Sequence, residues 1–282
     1  KDSLTVAFVA EFSRGKTELI NALFFSHYGQ RLLPSEAGRT TMCPTELFYD
    51  RDNEQAYIHL LPIETRLQDQ SIADFRHEPI HWTQIALEVN NTDQVAEALH
   101  EVIKTKQVPV ARARELGLYD EQTDPYFQAH KRPPAQVEIP HWRHALISFP
   151  HELLKQGLVV LDTPGLNAMG HEPELTLNML PAAQAVLFLL GADTGVTRSD
   201  MEMWQHHIRK ISDRADNNLV VVLNKIDTLW DELKDSSSVN ASIESQRQST
   251  AEQLQVDVDR VFPISAQKGL LAKIRNDECL LQ

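Results

Sequence analysis

The run Ala10-Glu-Phe-Ser-Arg-Gly-Lys-Thr17, set directly behind an apolar stretch at residues 4–9, constrains this chain more than any other feature. Residues 4–9 are short, apolar and rich in β-branched side chains, as expected of a central parallel strand. After Gly15, the apolar residues Leu19, Ile20, Leu23 and Phe24 recur with the spacing of one helix face. A strand, a tight loop and Gly15-Lys16-Thr17 opening a helix is the context of a phosphate-binding loop. Backbone N–H groups of residues 13–17 would form a concave anion nest, reinforced by the helix N-terminus. Lys16 would reach the β- and γ-phosphates of a nucleotide, and the Thr17 hydroxyl would ligate Mg²⁺. The expected nucleotide loop is therefore Glu11, Phe12, Ser13, Arg14, Gly15, Lys16 and Thr17. Ala10 stands where glycine is usual, which is tolerable if its backbone keeps φ negative.

Three more motifs follow in order. In "GLVVLDTPGLN" a strand at residues 158–161 leads into Asp162-Thr163-Pro164-Gly165. Asp162 would hold Mg²⁺ through a water, and the Gly165 N–H would touch the γ-phosphate, where a Cβ would collide. Alone, this string is equally an ordinary Pro-Gly turn. In "NLVVVLNKIDTLW" a strand at residues 219–223 precedes Asn224-Lys225-Ile226-Asp227. A carboxylate at 227 can accept from both N1–H and N2–H₂ of guanine, whereas adenine would leave the charge unpaired; such sites discriminate by factors of about 10⁴ or more. The Lys225 stem would cover the base and Asn224 would tie this loop to the phosphate loop. Last, "RVFPIS" ends at Ser265-Ala266, where a backbone N–H, expected from Ala266, can reach guanine O6.

Composition narrows the partners. The 282 residues carry a net charge of −13, which argues against clamping DNA or RNA and against an anionic membrane surface. Two cysteines far apart, Cys43 and Cys279, fit a reducing, cytoplasmic interior. No run approaches the 18 apolar residues of a membrane span, and no signal peptide is visible. The abrupt start at Lys1, and a closing stretch at 270–282 that reads as a helix cut soon after it begins, lead us to expect a fragment of a longer protein.

With four motifs placed, the chain resembles the translation-factor class of P-loop GTPases and, within it, the bacterial dynamin-like proteins. "EFSRGKTELINALF" is similar to that family's GxFSxGKSxLINAL loop. "LLPSEAGRTTMCPTEL" resembles its switch I, a threonine followed three residues later by proline, here Thr41 and Pro44. "GADTGVTRSDMEMW" resembles the stretch after the fourth strand, where a helix begins at a T-x-S-[DE] cap. The resemblance implies GTP and GDP as ligands, Mg²⁺ held by Thr17, Thr41 and Asp162, and hydrolysis served by Ser13, Lys16, Thr41 and Gly165. Thr40 is the alternative to Thr41. It also implies a homodimer across the nucleotide face, and Ser13 matches the serine that binds K⁺ or Na⁺ in dynamins. Two departures stand out. Leu166 occupies the place of the water-orienting glutamine of Ras-like GTPases, and Phe12 replaces a polar dynamin residue. Arg14 remains the candidate for a charge-stabilising finger.

Residues 1–282 are expected to form one G domain, a three-layer α/β sandwich of mostly parallel sheet flanked by helices, with the nucleotide at the carboxyl ends of the strands. The interval from Thr41 to Asp162 far exceeds two strands and a hairpin. "TELFYD", "QAYIHLLPI" and "VEIPHWRHALISF" read as three strands. The insertion, at about 66–140, includes a helix with Val95, Ala96, Leu99, Val102 and Ile103 on one face behind Thr92 as N-cap. Residues 111–136 read as a loop or linker. The histidines of this region (His77, His81, His100, His130, His141, His144) lack ligand spacing. The leading expectation is a dynamin-like GTPase coupling nucleotide state to assembly, peripheral at a membrane and touching it through regions outside this chain. The rivals are a ribosome- or RNA-associated GTPase and a weakly hydrolysing GTP-dependent scaffold.

Overall fold

A computed structural model describes residues 3–34, 43–122, 124–165, 178–209, 218–230 and 235–277. Strand β1 (Leu4–Ala10) lies inside a nine-stranded sheet, between β8 (Leu158–Asp162) and β9 (Ala185–Gly191), parallel to both. Its side chains alternate between two cores, Val6, Phe8 and Ala10 on one face and Ala7 and Val9 on the other. A strand buried on both faces must be apolar, and this explains the unbroken run at 6–10. Beyond β9 follow β10 (Leu219–Asn224) and β11 (Val261–Pro263), both parallel. Fully buried Phe188 of β9 stacks on Trp204 at 5.8 Å, so truncating it to Ala would cost about 3–5 kcal/mol.

On the other side of β8 the sheet changes direction. β2 (Thr45–Phe48) runs antiparallel to β8 with Thr45 opposite Asp162, and β7 (Trp142–Ser148) runs parallel to β2. β3 (Tyr57–Pro62) and β4 (Thr83–Ala86) complete the edge by antiparallel pairing. The sheet is thus mostly parallel and flanked by helices, as expected from the sequence. β5 (Thr105–Pro109) and β6 (Gln136–Pro140) form a separate antiparallel ribbon over a small core of Ile63, Ala113, Leu116 and Ile139.

Some local expectations need correcting. "VEIPHWRHALISF" is two strands, β6 in the ribbon and β7 in the main sheet, because the chain changes partners at His141. The helix Thr92–Val102 is capped by Asn91, whose side chain accepts from the Gln94 N–H, rather than by Thr92. It buries Val95, Ala98, Leu99 and Val102. Residues 111–136 are not a plain linker. They hold most of the helix Val110–Glu115 and all of Pro125–His130, whose cap Asp124 sits directly before Pro125. The closing helix spans Ala266–Arg275 and ends where Asn276 turns left-handed at φ 52°, inside the stretch read as a helix just beginning. Cys43 is buried, with its thiol 3.7 Å from the Val102 carbonyl oxygen.

Candidate nucleotide site

The phosphate loop leaves β1 with Ala10 still in the strand, so no glycine is required there. The left-handed positions fall at Ser13 (φ 62°) and Gly15 (φ 82°). Gly15 is doubly constrained, since a Cβ there would lie 2.3 Å from Asn224 Nδ2. The helix Lys16–Ile20 starts directly after it and continues into a wider π turn at Asn21–Phe25, with Ile20, Phe24 and Phe25 buried.

Two buried charges meet at the heart of the site. Lys16 Nζ lies 2.7 Å from Asp162 Oδ1, with both side chains about one-tenth exposed. The turn after Asp162 is pinned to β1, for Thr163 Oγ1 donates to the Phe8 carbonyl at 2.9 Å. Gly165 then approaches the phosphate loop so closely that a Cβ would stand 3.1 Å from Glu11 Oε1, the same oxygen that accepts from the Phe12 N–H at 3.0 Å. Thr17, Thr45 and Asp162 are the polar residues at the margin of an otherwise apolar cavity beside the loop. A hydroxyl and a buried carboxylate are hard oxygen donors of the kind Mg²⁺ selects, and the ammonium already paired with Asp162 shows that this spot favours positive charge. The residues present therefore fit the metal.

The base-recognition loop is tied to the phosphate loop by one side chain. Asn224 donates from Nδ2 to the Arg14 carbonyl (2.9 Å) and accepts at Oδ1 from the Ala266 N–H (2.9 Å). Its own carbonyl accepts from the Ala192 N–H at 2.8 Å. Ala266 N–H, expected at guanine O6, is thus engaged by Asn224. Asp227 is oriented by Ser265, whose Oγ donates to Oδ1 at 2.5 Å and also caps the closing helix by accepting from the Lys268 N–H. Lys225, left-handed at φ 64°, turns its ammonium to Asp193 Oδ2 at 2.8 Å. Glu11, Phe12, Ser13, Arg14, Gly15, Lys16, Thr17, Asp162, Gly165, Asn224, Lys225, Asp227, Ser265 and Ala266 therefore converge on the carboxyl edge of the parallel strands. Thr40, Thr41 and Leu166 lie outside the described residues.

Arg14, the candidate finger, has its guanidinium engaged within the chain. Its guanidinium is buried and grips Asp200 with two bonds, Nε to Oδ1 at 3.0 Å and Nη2 to Oδ2 at 2.8 Å, while Nη2 also donates to Thr197 Oγ1 at 3.0 Å. Breaking such a buried pair by removing one partner typically costs about 3–5 kcal/mol. Asp200 and Asp193 are the site residues that sequence reasoning missed. The T-x-S-D cap was visible, and Thr197 and Asp200 do form a reciprocal capping box on the helix Arg198–Met203, but nothing local announced that Arg14 would reach them.

A second buried ionic cluster lies on β2. Glu46 Oε1 sits 3.0 Å from His144 Nε2 and also meets Arg76. Burial alone would push the Glu46 carboxyl up; the His144 hydrogen bond and charge, with Arg76, outweigh it and hold it at about 2.

The profile of the dynamin family matches residues 6–226. A bacterial dynamin-like protein from Nostoc punctiforme is 22% identical over 286 aligned residues, covering 96% of this chain and 33% of that protein. A probable chloroplastic transmembrane GTPase of the FZO-like type from Arabidopsis thaliana is 26% identical over 126 residues, 44% of this chain and 13% of its own length. A solved structure of an oligomerised bacterial dynamin pair superposes with a TM-score of 0.52 at 16% identity, over 96% of this chain and 34% of that one, a likeness of fold. The chain thus spans about a third of the length of the bacterial relatives it matches. With the family profile covering the phosphate loop, Asp162–Gly165 and the third motif as far as Ile226, the chain belongs to the dynamin family.

Proposed function

We propose that this domain binds GTP with Mg²⁺ at the carboxyl edge of its sheet, hydrolyses it, and couples nucleotide state to pairing with a second copy, within a longer protein that acts on membranes. The observation that carries this is the junction at Asn224. One carboxamide joins the loop bearing Lys16 and Thr17 to the loops bearing Asp227 and Ser265, which supports reading them as one nucleotide site. Asp227, held by Ser265, selects guanine by accepting from its N1–H and N2–H₂. With a nucleotide bound, Lys16 would face the phosphates, and Asp162, Thr17 and Thr41 would be the residues that hold Mg²⁺. That ion neutralises charge on the β- and γ-phosphates when bound.

Water positioning requires help from outside the described site. Phe12 is 41% exposed at the rim of the phosphate loop and has no group to orient water. An apolar side chain in that place suits contact with a second molecule facing the nucleotide, and Ser13 then holds a K⁺ or Na⁺ ion that offsets the developing charge. Relatives give the wider setting, since the solved bacterial pair is described as sensing and tethering membranes at long range. Among the described residues no helix is long and apolar enough to cross a membrane, and the net charge of −13 opposes binding to an anionic surface. In this reading membrane contact falls to parts of the longer protein that correspond to the two-thirds of the bacterial relatives this chain does not span. The test is thermal: GDP and GTP with Mg²⁺ should raise the melting temperature of the chain while ATP does not. Equal protection by ATP and GTP would sink the guanine assignment.

A further inference from the structure

Two aspartates on the segment after β9 reach both halves of the nucleotide site. Asp200, fully buried, takes the Arg14 guanidinium through a two-bond fork, and Asp193, seven residues earlier, takes the Lys225 ammonium at 2.8 Å. The segment is itself anchored at each end. Ala192 N–H donates to the Asn224 carbonyl, and the Thr197–Asp200 capping box closes on the helix Arg198–Met203. At its root, Gly191 leaves room for Asp193, since a Cβ there would stand 2.3 Å from Asp193 Oδ1.

We propose that Asp200 is a positioning residue for nucleotide binding, acting through Arg14 to hold the phosphate loop in its binding shape. The inference rests on the GTP-binding reading above. Arg14 is the residue between the two left-handed positions Ser13 and Gly15, so its backbone sets the curvature of the anion nest. Its carbonyl is fixed by Asn224 and its side chain by Asp200 and Thr197, which leaves this peptide little freedom to rotate. A bidentate guanidinium–carboxylate pair is directional as well as strong, so it fixes orientation where a lysine would supply only a point charge. The pairing also disposes of a charge problem. An unpaired arginine in the loop would bind phosphate in competing geometries, whereas Asp200 neutralises Arg14 and leaves Lys16 as the loop's cation for the phosphates. A preorganised nest binds GTP and GDP alike, so the strut acts on affinity and leaves the chemical rate alone.

The experiment measures the GDP dissociation constant, and KM and kcat for GTP, in the 282-residue chain and in Asp200→Asn, Arg14→Lys and the paired Arg14→Met/Asp200→Leu variant. Melting of the nucleotide-free proteins is followed in parallel. Asp200→Asn should weaken GDP binding and raise KM by roughly tenfold while kcat stays within about twofold, the signature of lost uniform binding. Arg14→Lys should fall between it and the unmodified chain. The paired apolar variant recovers the melting temperature of the nucleotide-free protein without recovering affinity, which a merely structural pair would not do. A fall in kcat of a hundredfold or more in Arg14→Lys, with GDP affinity intact, would identify Arg14 as a charge-stabilising group and overturn the inference. So would unaltered GDP affinity in Asp200→Asn, provided the unmodified chain binds GDP. Failure of the unmodified chain to bind GDP would overturn the nucleotide reading, and this inference with it.

Discussion

Lys16 Nζ stands 2.7 Å from Asp162 Oδ1, so the cation we propose for phosphate and the carboxylate we propose for Mg²⁺ neutralise each other. Lys16→Ala should abolish measurable affinity for GTP and GDP, a loss of at least about a hundredfold. Isothermal titration with GDP in Mg²⁺ is the measurement, and near-normal binding would show that the backbone nest suffices without the ammonium.

Guanine selectivity should follow Asp227. Asp227→Asn replaces an acceptor with a donor and should move preference towards xanthosine nucleotides, whose C2 oxygen can accept from the amide. Because Ser265 donates to Asp227 at 2.5 Å, Ser265→Ala should weaken GDP binding by a smaller factor, about tenfold or less, without changing the preferred base. Competition binding among GDP, XDP and ADP decides both points.

Thr41 should separate binding from chemistry. Thr41→Ala is expected to keep GDP affinity nearly intact and to slow hydrolysis about 10²-fold, roughly 3 kcal/mol of transition-state stabilisation. Single-turnover rates of Thr41→Ala and Thr40→Ala would tell the two threonines apart. Normal hydrolysis in the first and slow hydrolysis in the second would transfer the role.

Turnover per molecule should rise with protein concentration across a hundredfold range, and rise further in K⁺ than in a bulky organic cation. GDP with aluminium fluoride should trap a dimer in sedimentation. A flat, fully active profile in both salts would mean that one chain carries everything hydrolysis needs.

The Glu46 cluster predicts an acid sensitivity. Glu46 is held at about 2, below the ordinary carboxylate value of 4.5, so its ionised form is favoured by folding. That stability is complete above about pH 4.5 and is lost as pH falls towards 2, a contribution of roughly 3 kcal/mol at most. Denaturant midpoints of Glu46→Gln should be lower at pH 7 and should change less between pH 5 and 3 than those of the unmodified chain.

Much of this was legible in the sequence because P-loop, DxxG, NKxD and SA motifs are local strings that end strands. The strand before each is continuously apolar, and the polar residues that follow have to lie at its carboxyl end. What stayed hidden depends on separation. Arg14 and Asp200 lie far apart in the chain, and no periodicity in either segment encodes their pairing. Asn91 displaced Thr92 as a cap because both residues can cap, and spacing alone does not rank adjacent candidates. The pattern of 137–149 reads as one strand because a change of partner at His141 leaves the alternation almost undisturbed.

The reversal of β2 has a topological meaning. From a parallel strand only the outgoing chain reaches the nucleotide edge, since every strand departs there and returns along the far side. β2 alone among the neighbours of β8 runs the other way, placing Thr45 opposite Asp162, so here the incoming chain arrives at that edge through Cys43 and Pro44. The inversion of β2 thus lets the site be approached from both directions of the polypeptide. Whatever shifts the arriving segment pulls directly on a strand hydrogen-bonded to β7, and through β7 to β3 and β4. A disturbance at the nucleotide edge has a hydrogen-bonded route, strand to strand, to the opposite margin of the sheet.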